Sequence, residues 1–450
     1  MRCEYRWSFL IGIWPILLIG CLESKLPKPL QKAEVLIEKG EPQSAVPVLE
    51  KFVSSYPLDP IGHMKLGDTY SLTGQTKKAI AEFREAISLL SNQPQSQVEA
   101  RIKIVRAYLR IGDRKRANLQ LKAILRSGPP DEVLIRIAGY VTDAYHITRL
   151  TKGKSDNYSP SFSPDGRQIA FSSFRLDNGE IYLMDLTGRI RQRVTFSTDF
   201  NETTPVFLRD PNYLLYCKEP KASREISVTL QGSGSTRFFA GIDVSHIYNK
   251  TTQELLPVKL GVRAPSASLA SDHILYESNL DGNLEIYRID FTDKKLNDIG
   301  QVEPERLTHS EDSDDGTPRY NPLSGRIIFV AGRDNVHQLY SFDPNKGSKS
   351  ETQLLMTDYD CYNPAISPDG KHIAFVAARD GDIEVCLMDA DGTNVRQITN
   401  GIGISIHPTF SPDGRQLAFV SDRSDSFHVY LMDLDRPKSA KILSNELRNF

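Results

Sequence analysis

Cysteine is scarce in this sequence and poorly spaced for any joint task. Of 450 residues five are cysteine: Cys3 and Cys21 near the start, then Cys217, Cys361 and Cys386 scattered beyond, with no CxxC pair. Such spacing builds neither a zinc site nor an even disulfide framework, so the last three are read as buried thiols packing like small hydrophobes. A basic excess is also missing. Lysine and arginine total 55 against 57 acidic residues, a formal net charge of -2, which leaves no broad cationic face for nucleic-acid phosphates. The nine histidines are scattered without an HExxH pair, and no GxSxG elbow or phosphate-cradling glycine loop is present. Catalysis, a metal and a cofactor are therefore not expected. What remains is ordinary for a chain with real cores: 39% hydrophobic and 25% charged residues, in a length that suits about three domains of ~150 residues.

Arg2 and Arg6 precede the apolar run Phe9 to Gly20, which ends at Cys21. The run is too short to span ~30 Å of hydrocarbon and suits the core of a signal peptide. Leu18-Ile-Gly-Cys21 resembles the bacterial lipobox. That resemblance implies a signal peptide over 1–20, lipidation of Cys21, an anchor linker over 21–27 and a body held outside the cytoplasm by its acyl chains. An ordinary secretory signal or an uncleaved anchor is the alternative. Leu22 stands where an Asp would retain such a lipoprotein at the inner membrane, so the outer membrane is favoured.

From 28 to 141 apolar positions recur at i, i+3 and i+4, as in amphipathic helices. Gly40, Gly74 and Gly112 are each followed five residues on by Ala45, Ala79 and Ala117, and nine on by Leu49, Phe83 and Leu121. Twelve on come Phe52, Ala86 and Ile124. The unit Leu66-Gly67-Asp-Thr-Tyr70-Ser-Leu-Thr-Gly74 with Ala79, Phe83 and Ala86 looks like the tetratricopeptide repeat. Three such hairpins are expected, closed by a capping helix over Asp131 to Tyr140. They form a groove for a peptide or a partner's helix, or merely a spacer from the membrane.

A second repeat fills 145–450. Pro160-Ser-Phe-Ser-Pro-Asp-Gly-Arg-Gln-Ile-Ala-Phe171 returns as Pro408-Thr-Phe-Ser-Pro-Asp-Gly-Arg-Gln-Leu-Ala-Phe419 and as Pro364-Ala-Ile-Ser-Pro-Asp-Gly-Lys-His-Ile-Ala-Phe375. The opening proline also recurs at Pro205, Pro265 and Pro318. Six units of about 45 residues, each with strand, Pro-Asp-Gly turn and further strands, suit a six-bladed β-propeller. The unit, with a following Ile-Tyr-Leu-Met-Asp, is similar to the repeat of the TolB propeller family and of related WD-like propellers of bacterial envelope proteins and some prolyl peptidases. The fold class is thus multidomain α plus all-β, with tetratricopeptide hairpins before the propeller. The motif fails in blades two and three. Ile147 to Thr151 matches an outermost strand but precedes the first blade, so it is expected to close the ring on the last blade in competition with Lys441-Ile-Leu443.

One end of that ring carries charge of both signs. Arg175, Arg333, Arg379 and Arg423 follow the second strands, and Asp156, Asp199, Glu202, Glu311, Asp312, Asp314, Asp315, Asp358 and Asp360 lie in the loops entering the inner strands. They form a docking face for a partner, or else loop-holding ion pairs worth ~0 to 1 kcal/mol each when exposed. Asp312, Asp314 and Asp315 are read as a solvated acidic loop before a calcium site. A peptidase of this kind would need a hydrolase domain after the ring, and Phe450 stands eighteen residues past Met432. The expected function is a non-enzymatic, lipid-anchored, monomeric envelope scaffold that binds protein partners. A recognition module for peptidoglycan, glycan or peptide is the alternative, and a propeller hydrolase the least favoured.

Overall fold

The computed structural model describes residues 27–447 except 92, 177, 221–243, 250–253, 259–262, 268–272, 279–282, 291, 293–301, 311–312, 334–335, 380–381 and 401–402. Cys21 with its lipobox, Glu311 and Asp312 lie outside the described residues. The chain divides into two compact units, 1–129 and 130–450.

The first unit is helical: α1 (Lys28–Glu38), α2 (Pro42–Ser55), α3 (Pro60–Leu72), α4 (Thr76–Leu89), α5 (Pro94–Arg110) and α6 (Arg114–Arg126). Gly40, Gly74 and Gly112 follow α1, α3 and α5 with φ of +77°, +72° and +72°, a conformation that suits glycine. The next residue then reaches back to the helix, as in the bonds Gln75 N to Tyr70 O and Asp113 N to Tyr108 O, both 2.8 Å. The residues five, nine and twelve beyond each glycine are buried without exception. Gly67 is needed for a different reason: a Cβ there would lie 2.5 Å from the Phe83 ring, so α3 and α4 approach closely only without a side chain.

The second unit is a β-propeller. Its strands pair into six four-stranded antiparallel sheets, and inner strands of successive sheets touch in order around the unit. The first sheet comprises Asn157–Phe162, Gln168–Ser173, Glu180–Asp185 and Ile190–Arg193. In each sheet the second strand buries one aromatic: Phe171, Tyr216, Tyr276, Phe329, Phe375 or Phe419. Several face an aromatic directly across on the third strand, as in Phe171 opposite Tyr182 and Tyr276 opposite Tyr287. Such cross-strand pairs are worth about 0.5–1 kcal/mol beyond their area. The recurring turn is likewise uniform. Ser163, Ser367 and Ser411 each donate to the aspartate two residues on at 2.6 Å, and the glycine after that aspartate has φ near +70°.

A buried polar staple fastens the outermost strand. Glu180 heads the third strand of sheet one; its Oε2 accepts from Thr195 Oγ1 at 2.6 Å, and Arg193 donates to Oε1 at 2.9 Å. Thr195 Oγ1 in turn accepts from Ile181 N, and Arg193 Nε donates to the Thr195 carbonyl at 2.8 Å. Sheet three repeats this with Glu285, Thr308 and Arg306. Sheet five has Glu384 and Thr399 at 2.5 Å, with Gln397 in place of the arginine. Sheet four has the neutral pair Gln338 and Thr357, where Leu355 occupies the arginine position. The arginine accompanies the carboxylate in sheets one and three and gives way to Gln397 in sheet five and Leu355 in sheet four, while the threonine bond is kept in all four.

The sixth sheet obtains its outermost strand from the other end of the unit. Tyr145–Arg149 pairs with His428–Pro437, while Lys441-Ile-Leu443 lies in a helix, Ala440–Glu446. His428 replaces the glutamate: Thr151 Oγ1 lies 3.1 Å from its Nδ1, and Arg149 Nη2 lies 2.7 Å from its Nε2. Helix α7 (Asp131–Ala138), expected to cap the helical repeats, belongs instead to the second unit. It packs on the Arg396–Gln397 strand, where a Cβ at Gly139 would collide with the Gln397 carbonyl at 1.8 Å. An apolar stripe on an eight-residue helix fits either neighbour, and a glycine contact across chain distance has no local signature. The three later cysteines are free and buried, and burial pushes the Cys361 thiol up to about 12.

The seam is pH-sensitive. Burial, then the Arg149 charge, depresses the His428 pKa below its ordinary value of 6.5. The unfolded chain therefore binds the proton first, and stability contributed by neutral His428 is lost as pH falls below about 6.5. Calorimetric scans at pH 8 and pH 5 should show the propeller transition falling further in the wild type than in His428→Gln.

Candidate functional site

The charged end of the propeller is largely engaged in holding itself. Arg423 donates to Asp143 at 2.8 Å and lies over Phe419 and Tyr430. Arg333 pairs with Asp315 at 2.9 Å and Glu351 at 3.3 Å. Arg175 donates to Ser173 Oγ at 3.0 Å and packs over Tyr182 at 4.5 Å. Arg379 donates to Gln397 and lies near Tyr140 and Tyr359. With Arg333 over Tyr340 at 5.6 Å, three of the four arginines rest on the third-strand aromatic of their own sheet. The carboxylates do something else: they accept a backbone N–H from the preceding sheet. Asp156 takes Phe427 N at 3.0 Å, Asp314 takes Leu284 N at 2.8 Å and Asp360 takes His337 N at 2.8 Å. Asn201 takes Gly179 N in the same way. Asp199 and Asp358 are exposed. Asp314 and Asp315 turn to different partners, and among the described residues no group of three His, Cys, Asp or Glu side chains is placed to hold a metal.

A cavity of about 670 Å³ occupies the middle of the propeller toward the opposite end of the inner strands. Its wall is built by one repeated device. The residue before the recurring proline, Ser159, Thr204, Thr317, Asn363 or His407, has φ between +47° and +51°. Pairing with the second strand shifts register at each of these points. Non-glycine residues hold such backbone at a cost on the order of 1 kcal/mol or more each. All five line the cavity, and the turn prolines Pro164, Pro322, Pro368 and Pro412 complete it.

Arg319 and His407 also line this cavity, along with Arg209. Arg319 donates to the Pro318 carbonyl at 2.8 Å. Enclosure by protein lowers its pKa to about 10, opposed by Glu277. Burial, then the Arg319 charge, lowers His407 to about 4, so its ring is neutral near pH 7. Ser159 N donates to His407 Nδ1 at 3.4 Å, which leaves the ring proton on Nε2. Thr204 Oγ1 and Thr317 Oγ1 are buried with no hydrogen-bond partner. None of the charged-end residues expected to bind lines this cavity. The missed signal was small: after the recurring proline stand Ser161, Val206, Ala365 and Thr409, but Arg319 in the fourth unit.

Comparison with known proteins gives two matches to family models: the TolB beta propeller domain over residues 349–449, and a tetratricopeptide repeat over residues 62–91. The chain is similar to the Tol-Pal system protein TolB of Thioalkalivibrio sulfidiphilus, 31% identical over 72 residues, 16% of each chain. To that of Gluconobacter oxydans it is 35% identical over 89 residues, 19% of each chain. Each alignment thus spans less than a fifth of the relative's length. The solved TolB from Acinetobacter baumannii has a TM-score of 0.42 at 18% identity, over 72% of this chain and 71% of that one.

Glu202, at the charged end, is buried with Oε2 lacking a partner. Burial, then the Glu180 charge, raises its pKa from 4.5 to about 7. The folded state therefore keeps the proton longer than the unfolded one, and stability falls as pH rises from about 4.5 to about 7. Glu202→Gln should melt above the wild type at pH 8, by on the order of 1 kcal/mol, with little difference at pH 4.5. Equal melting at pH 8 would show the carboxyl to be solvated.

Proposed function

We propose that this chain is a non-enzymatic scaffold of the bacterial envelope, lipid-anchored through Cys21 and active as a monomer outside the cytoplasm. It binds protein partners through its tetratricopeptide hairpins and a six-bladed TolB-like propeller. The observation that carries this function is the joining of two repeat units, each matching a family model of its own, in one chain. Repeat folds of both kinds present extended surfaces built from many units rather than one reaction centre. The six sheets are taken as six blades, and the exposed Asp199 and Asp358 as carboxylates of the charged end that a partner would meet. Likeness to Tol-Pal system proteins TolB favours an envelope assembly over a glycan reader.

Affinity capture with the tagged full chain from detergent-solubilised envelopes of its host should recover protein at near-stoichiometric yield. Recovery of wall fragments alone would overturn protein scaffolding in favour of glycan recognition. Cys21→Ser should move the chain out of the membrane fraction, and retention there would refute the anchor.

A further inference from the structure

The cavity has the composition of an anion receptor. Among its described lining residues are two arginines and no carboxylate. Glu277 acts on the Arg319 charge, and its Oε2 already accepts from Thr317 N at 2.7 Å. Two arginines less this one glutamate leave a net charge of about +1, with His407 neutral. That sum suits a carboxylate better than a phosphate dianion.

The Arg319 guanidinium offers a planar fork that matches a carboxylate in bidentate fashion. Among the described residues its hydrogen bond to the Pro318 carbonyl is with a backbone neighbour, not an acidic side chain. The hydroxyls of Thr204 and Thr317, on different sheets, are buried without partners. Neither hydroxyl opens onto the cavity as it stands, and each missing bond costs about 1–3 kcal/mol, so a side-chain turn that brought it to a carboxylate bound there would be favourable. Both sit on residues held at positive φ, and strain of that kind collects where a ligand is clamped.

We propose that the propeller cavity binds a carboxylate group, gripped by the Arg319 guanidinium and hydrogen-bonded by Thr204, Thr317 and the Nε2–H of His407. The carboxylate belongs to a small organic acid or to an acidic side chain of an inserted peptide; the recognising chemistry is the same. This site does not depend on the scaffold function, and failure of partner capture would leave it standing.

Titration calorimetry on the purified full chain tests it, with succinate, a short glycine-rich peptide containing one aspartate, inorganic phosphate and putrescine as probes. Succinate or the peptide should bind, phosphate more weakly and putrescine not at all. The tighter of the first two identifies the source of the carboxylate. Arg319→Gln should raise Kd at least tenfold. Because that variant could disturb folding, Thr204→Val and Thr317→Val provide the second arm. Each removes a hydroxyl at nearly constant volume and should raise Kd several-fold while leaving the melting temperature unchanged or higher, which a merely structural hydroxyl would not do. Binding of neither carboxylate, preference for phosphate or putrescine, or affinity unchanged in the threonine variants would overturn the proposal.

Discussion

The staple at the head of the third strand, found in five of the six sheets among the described residues, is the interaction on which the propeller depends. A four-stranded sheet wrapped about an axis has one weak member, the outermost strand, which has a neighbour on one side only and is two residues long in three of the sheets. Two backbone pairings cannot hold it. The threonine that follows it, bonded at once to a third-strand amide and a third-strand side chain, supplies what the short ladder lacks. In sheet six the same threonine and arginine arrive from 277 and 279 positions earlier in the chain. The lock that finishes a blade elsewhere there joins the two ends of the unit.

Closure has a consequence at the centre. Five strained pre-proline residues can hold positive φ only while the strands around them are fixed. Those strands are fixed by neighbours, through carboxylates such as Asp156 and Asp360 that reach across sheet boundaries to backbone amides. Charge at one end of the inner strands is therefore spent on order, and the polar groups left over accumulate beyond the strained residues, in the cavity.

Much of this architecture was legible because it repeats. The Pro-Asp-Gly turn, the second-strand aromatic and the Arg-x-Thr ending of the outer strands are local, and three copies expose them. Closure by the 147–151 segment was legible for the same reason, since Arg149-Leu-Thr151 copies Arg193-Val-Thr195 and Arg306-Leu-Thr308. What the sequence hid was partnership. Nothing local ties Thr195 to Glu180, or places α7 on sheet five rather than on α6. The cavity was hidden more deeply, because Arg319 and His407 are single departures inside repeats that otherwise carry small residues there. Repetition reveals scaffold and conceals exceptions.

The most direct test is hydrogen exchange on the full chain bearing Thr151→Val, which removes one hydroxyl at nearly constant size. If the staple closes the propeller, amides of Tyr145–Arg149 and His428–Pro437 lose protection by tenfold or more. Those of the flanking inner strands Asn157–Phe162 and Ser405–Phe410 then follow, while α1 to α6 are unchanged. Protection that is unaltered, or lost from Tyr145–Arg149 alone, would contradict the claim that this seam holds the unit together.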